Sequence, residues 1–105
     1  MTTFDFGDGK GPVAAHKHSN GGGWVADTAT VAKTAQVGPE ARVYGAARVY
    51  DYARVSGNAQ VSGNAQVFGT ARVYGTVWVF DDAQVSGNAQ VTGDSAVSGT
   101  ARVTE

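Results

Sequence analysis

The chain has 105 residues, Lys and Arg totalling 8 and Asp and Glu totalling 9, for a formal net charge of −1; that balance exerts no general pull on nucleic acid or an anionic membrane. The absence of Cys excludes disulfides, thiolate metal sites and a cysteine nucleophile. No apolar run approaches the roughly 18 residues of a membrane-spanning helix, and the aliphatic content is Val and Ala alone, with neither Leu nor Ile.

The amino end, "MTTFDFGDGK", lacks the hydrophobic segment of a signal peptide, so a soluble, unexported protein is expected. Residues 1–28 carry no period, and "GDGKGP" and "SNGGG" are rich in turn formers. This stretch reads as an extended arm or cap, with Trp24 and Val25 starting the first side of the repeat region. "GDGKG" (7–11) is followed by no Lys-Ser/Thr phosphate-loop pattern and no helix, so it reads as a turn.

From Ala29 the text repeats every six residues: ATVAKT, AQVGPE, ARVYGA, ARVYDY, ARVSGN, AQVSGN, AQVFGT, ARVYGT, VWVFDD, AQVSGN, AQVTGD, SAVSGT, ARVTE. Position one is Ala in eleven of the thirteen units and position five is Gly in eight. Positions one and three share a face while two and four point away, the period of a half-buried strand. Gly followed by Asn, Thr or Asp supplies a corner. Each unit therefore predicts a four-residue strand and a two-residue turn.

One such strand buries too little to stand alone, so units must stack on their own copies. Three sides per coil make a triangular prism of about four coils, roughly 20 Å tall at about 4.8 Å per coil. The third positions, Val31, Val37, Val43, Val49, Val55, Val61, Val67, Val73, Val79, Val85, Val91, Val97 and Val103, form the inward ladder. An axis this narrow has room for Ala and Val but not for Leu. The prediction is an all-β chain: residues 1–28 an arm or cap, residues 29–105 a parallel β-helix whose first-coil edges need a cover.

The pattern resembles the hexapeptide-repeat proteins, whose units read [STAV]-x-[LIV]-[GAED]-x-x. "AQVGPE" (35–40) fits in full, and most later units fit at positions one and three. The departure lies at position four, where Tyr, Ser, Phe or Thr stands with Gly moved to position five. The resemblance implies a left-handed helix and a homotrimer. Its best-known members are acyltransferases or zinc carbonic anhydrases with histidines in or between the coils. Here the only histidines are His16 and His18, outside the repeat, so neither active site transfers to any position and no catalysis is expected. Repeats of this kind behind a leader such as "HKHSNGGGWVADTA" (16–29) also resemble short phage-encoded proteins. That likeness implies a virion component, a capsid decoration (cement) or tail-tip protein.

Several residues are candidates for a site. His16 and His18 fall at i and i+2, which share a side in an extended segment; three chains would gather six imidazoles, an octahedral transition-metal site on a threefold axis, unless they are solvated loop residues. Asp81 and Asp82 replace the usual corner residues and read as a solvated corner rather than a calcium site. The outward aromatics are an interface candidate. Tyr50 stacks one coil from Phe68; Tyr44, Ser62 and Phe80 share a column with Trp78 beside it; Tyr74 stands on the third side. Such a patch marks an interface more often than an idle surface. Arg54 lies one coil from Arg72, a like-charge pair that partner carboxylates would neutralise.

The expectation is a non-catalytic structural trimer that docks on a larger assembly such as a capsid or tail protein, with no nucleic acid or membrane partner. The alternative is a cytoplasmic bacterial relative of the hexapeptide acyltransferases, binding a ligand between subunits.

Overall fold

The computed structural model describes residues 2–6, 11–94 and 96–104. The chain is all β, with no helix among the described residues. Strands are numbered in chain order. The first three are β1 (Thr3–Asp5), β2 (Pro12–Lys17) and β3 (Trp24–Ala26). The rest are two-residue strands on three sides of a solenoid.

One side stacks β3, β6 (Arg42–Val43), β9 (Gln60–Val61), β12 (Trp78–Val79) and β15 (Ala96–Val97), all parallel. A second stacks β4 (Thr30–Val31), β7 (Arg48–Val49), β10 (Gln66–Val67), β13 (Gln84–Val85) and β16 (Arg102–Val103). The third stacks β5 (Gln36–Val37), β8 (Arg54–Val55), β11 (Arg72–Val73) and β14 (Gln90–Val91). These are the β12, β10 and β11 sides below. Register partners such as Arg54 and Arg72 are eighteen residues apart (72 − 54 = 18), so one coil takes three units and the stack has about four turns.

The strands are half as long as the four residues expected. The cause is the amide of position one, which turns back to close the corner: the Ala59 amide donates to the Ser56 carbonyl at 3.3 Å, and the Ala65 amide to Ser62 at 3.2 Å. Positions two and four donate to the next coil instead, as Gln60 does to Val77 at 2.9 Å and Ser62 to Val79 at 2.8 Å.

The interior is built almost wholly from alanine and valine. The position-one alanines from Ala35 to Ala89, with Val77 among them, and the valines from Val37 to Val85 are fully buried. Val91 and Val97 are buried nearly as well, and Val31 and Val103 pack half-buried against the ends of the same cluster. Interiors are close-packed, so a longer aliphatic chain here would force the ladder apart.

The amino end is paired onto its own solenoid. β2 runs antiparallel to β3, with Ala15 opposite Ala26 and Lys17 opposite Trp24, and β1 runs antiparallel to β2. Together they add two strands to the β12 side. Residues 18–23 then cross the open edge of β5 and stand in for a missing coil. The Val37 amide donates to the Asn20 carbonyl at 3.1 Å and the Val37 carbonyl accepts from Gly23 at 2.9 Å. Only glycine permits that approach, since a Cβ on Gly23 would fall 2.3 Å from both the Gly38 carbonyl oxygen and Val37 Cγ1. The parallel stack thus begins at Trp24.

From Gly45 to Gly99 the corners take a left-handed backbone at position five. Gly57 has φ +64°, and a Cβ there would lie 2.8 Å from the Gly75 nitrogen in the next coil. Asp51 and Asp81 adopt the same conformation at φ 60° and 58°. Each offsets the strain by accepting a hydrogen bond from the corner glycine one coil on: Gly69 N donates to Asp51 Oδ2 at 3.1 Å, and Gly99 N to Asp81 Oδ2 at 3.2 Å. Gly57→Ala should therefore cost about 1–3 kcal/mol, with strain and contact together. Gly93→Ala, strained at φ +82° but open within 4 Å, should cost less, and Gly57→Asp should recover part of the Ala loss. Thermal unfolding of the three variants checks the order; equal losses for Gly57→Ala and Gly93→Ala would refute the close-approach account.

Candidate functional site

Neither histidine has the setting that a paired metal face requires. The extended segment that would align them ends at Lys17. His16 is exposed, and its Nδ1 lies 2.8 Å from Asp27 Oδ1. His18 lies beyond the strand, buried, with its Nε2 donating to the Ala35 carbonyl at 2.8 Å. That carbonyl occupies the position at which Ala53, one coil later, accepts from the Gln36 amide. The His18 imidazole is therefore a surrogate backbone donor that seals the first coil. The HKH motif is an edge cap plus a surface pair.

The coil interior is apolar across the described residues. Its buried side chains are aliphatic, and His18 is the one buried polar residue among those described. No group of three or more His, Cys, Asp or Glu is placed to hold a metal ion among the described residues. Asp81 is committed to the Gly99 amide, and Asp82 Oδ1 accepts from Asn64 Nδ2 at 3.4 Å. "GDGKG" lies outside the described residues apart from Gly11, which has φ +71°.

The outward aromatics divide into two groups. Three tyrosines are tied down within the chain by one recurring geometry, in which the hydroxyl donates to a glutamine on the next coil of the same side. Tyr44 reaches Gln60 Oε1 at 2.8 Å, Tyr50 reaches Gln66 at 3.3 Å and Tyr74 reaches Gln90 at 3.4 Å. Tyr50 also stacks on Phe68 with centroids 4.9 Å apart and planes 3° from parallel. Tyr44 is covered by the amino end: Phe6, itself buried, stacks on it at 4.9 Å. Phe4 stacks on Trp24 at 4.7 Å, and the Arg42 guanidinium sits 5.2 Å from the Phe4 ring. This clasp of Phe4, Phe6, Trp24, Tyr44 and Arg42 has no period in the text; its only signal is the spacing of Phe4 and Phe6 on alternate residues.

Trp78 and Phe80 are different. Trp78 is 53% exposed. Together with Phe80, Tyr44 and Ser62 it bounds a notch of about 200 Å³ on the β12 side. The notch exists because Ser62 is the small residue between two aromatic rungs of one column. A second hollow of about 190 Å³ lies beside the clasp, lined by Phe4, Trp24, Pro39, Glu40, Ala41 and Arg42. Tyr52, 67% exposed at a corner position that mostly carries Asn, Thr or Asp, is an outward aromatic that stands outside the columns.

On the β11 side, Arg54 and Arg72 are register partners and both are exposed. Neither has an ion pair among the described residues.

The cap gives a direct test. Removing the His18 imidazole leaves a buried carbonyl without a donor, a loss of about 1–3 kcal/mol. His16→Ala removes one partner of an exposed pair, for which about 0–1 kcal/mol is the ordinary range. Urea unfolding should rank His18→Ala well below His16→Ala in stability; the reverse order would remove His18 from the cap.

Three segments of the chain, residues 41–57, 59–75 and 83–99, match the family model described as YdcK Beta solenoid repeat. No curated protein and no solved structure matches the chain. Each matched segment covers close to one coil, and the second and third are separated by residues 76–82, the stretch that holds Trp78, Phe80, Asp81 and Asp82. With the three parallel stacks and their continuous Ala/Val axis, the match identifies the chain as a β-solenoid repeat protein.

Proposed function

We propose that this chain is a non-catalytic structural protein: a homotrimer of left-handed, hexapeptide-type solenoids that docks on a larger assembly, as a capsid decoration or tail-tip component of a phage virion. The observation that carries the reading is the half-exposed Trp78 over an aromatic notch, held on a rigid stack whose interior contains only alanine and valine. A large apolar side chain kept in water on a scaffold without a reactive group favours an interaction surface over a catalytic one. Threefold closure, the habit of the hexapeptide proteins that the repeat resembles, would cover that surface between neighbours. The likeness of the repeat and leader to short phage-encoded proteins supports the virion location.

The purified chain should sediment as a trimer. It should bind particles assembled from the capsid and tail proteins encoded beside its gene, and leave acetyl-coenzyme A unbound and intact. Binding or turnover of acetyl-coenzyme A without particle binding would overturn the reading in favour of a cytoplasmic acyltransferase relative.

A further inference from the structure

Unit 77–82, "VWVFDD", departs from the commonest residues of the repeat at positions one, two, five and six. Val77 replaces alanine, Trp78 replaces Arg or Gln, and Asp81 and Asp82 replace the corner glycine and its neighbour. The repeat family model passes over it. Its inward residues, Val77 and Val79, keep the core intact at full burial. The changes that face outward gather at one place: the Trp78–Phe80 wall of the notch and, directly after Phe80 in the chain, an acidic corner. Fold maintenance explains none of the outward changes at positions two and six, because Gln60 and Asn64 fill the same places one coil earlier.

Among the described residues the corner's charge lacks a cationic counterpart. Asp82 is exposed, and its carboxylate accepts from the Asn64 amide at 3.4 Å. The opposite sign is stranded on another side, where Arg54 and Arg72 stack in register without a carboxylate partner among the described residues. Outward positions two and four of the β11 side carry no acidic residue at all, being Gln36, Gly38, Arg54, Ser56, Arg72, Tyr74, Gln90 and Thr92. Stacking two guanidiniums one coil apart is unfavourable in isolation.

Height joins the two halves. Arg72 precedes Asp82 by ten residues (82 − 72 = 10), less than one coil. A rotation axis parallel to the solenoid leaves height unchanged, so it brings Arg72 of one copy level with Phe80 and Asp82 of the next. Arg102 lies more than a coil further on, and Arg48 and Arg54 more than a coil back. We infer that the occupant of the Trp78 notch is a second copy of this chain, its Arg72 entering against the Trp78 and Phe80 rings and pairing with Asp82. The β12 side of each copy would thus meet the β11 side of its neighbour. A guanidinium between aromatic faces and a carboxylate satisfies both its charge and its flat, weakly hydrated surface. The inference rests on the trimer reading and names the face through which the trimer closes.

Sedimentation across a concentration series tests it. Trp78→Gln installs the residue that β9 and β13 carry at the same position, so the coil is preserved while the ring is lost; circular dichroism checks this. Trp78→Gln, Arg72→Glu and Asp82→Lys should each raise the concentration for half-assembly at least tenfold. Arg72→Glu and Asp82→Lys combined in one chain should return it to within about threefold of the unmodified protein. If the unmodified chain is a trimer and the single variants assemble equally well, or the double variant is no better than the singles, the pairing is wrong while the trimer stands. If the unmodified chain is monomeric at every concentration, the trimer reading falls, and the notch must take another protein.

Discussion

A coil of eighteen residues encloses an axis wide enough for alanine and valine and little else. Most of the molecule derives from that limit. Each coil contributes three valines and, near each corner, a residue small enough to let the chain turn. Because every rung repeats this choice, the buried cluster runs without a break from Val25 to Val97. Stability in such a stack is a sum of neighbour terms, so no single side chain commands the fold. The same limit keeps polar side chains off the axis: an imidazole or carboxylate there would need a hydrogen-bond partner that aliphatic neighbours cannot supply.

The edges of the stack are where individual residues matter. A parallel ladder leaves carbonyls and amides unpaired on its first coil, and buried backbone groups are rarely left so. Here the leader supplies them from unlike sources: the Gly23 amide, the Asn20 carbonyl and an imidazole nitrogen of His18. The corners show a related substitution of side chain for backbone. Asp51 and Asp81 occupy a conformation that glycine adopts freely, and their carboxylates hold the amide of the next coil.

The solenoid was legible because its two periods are independent and both are visible. Alternation within six residues separates inside from outside, and the eighteen-residue register places Tyr50 against Phe68 and sets Ser62 between Tyr44 and Phe80. The leader was not legible by the same means. Its strands pair antiparallel, and its aromatic rings meet residues 38 positions away through a fold-back that no repeat announces. The histidines illustrate the difference: spacing alone pairs His16 with His18, whereas the end of β2 at Lys17 sends one into water and the other over the first coil. The tyrosine–glutamine bonds were within reach, since position four of one coil and position two of the next are neighbours by construction. Columns of like positions do not include that diagonal.

The six-residue corner spacing has a consequence for how such a protein changes over generations. A unit duplicated or deleted by replication slippage leaves the axis continuous, so the product still folds. Everything downstream, however, is turned by a third of a revolution. Tyr44 would then look across at an unrelated rung, and Trp78 would be dealt new neighbours. Only a gain or loss of three units together preserves the columns, so the surface of this molecule is far less tolerant of miscounting than its interior.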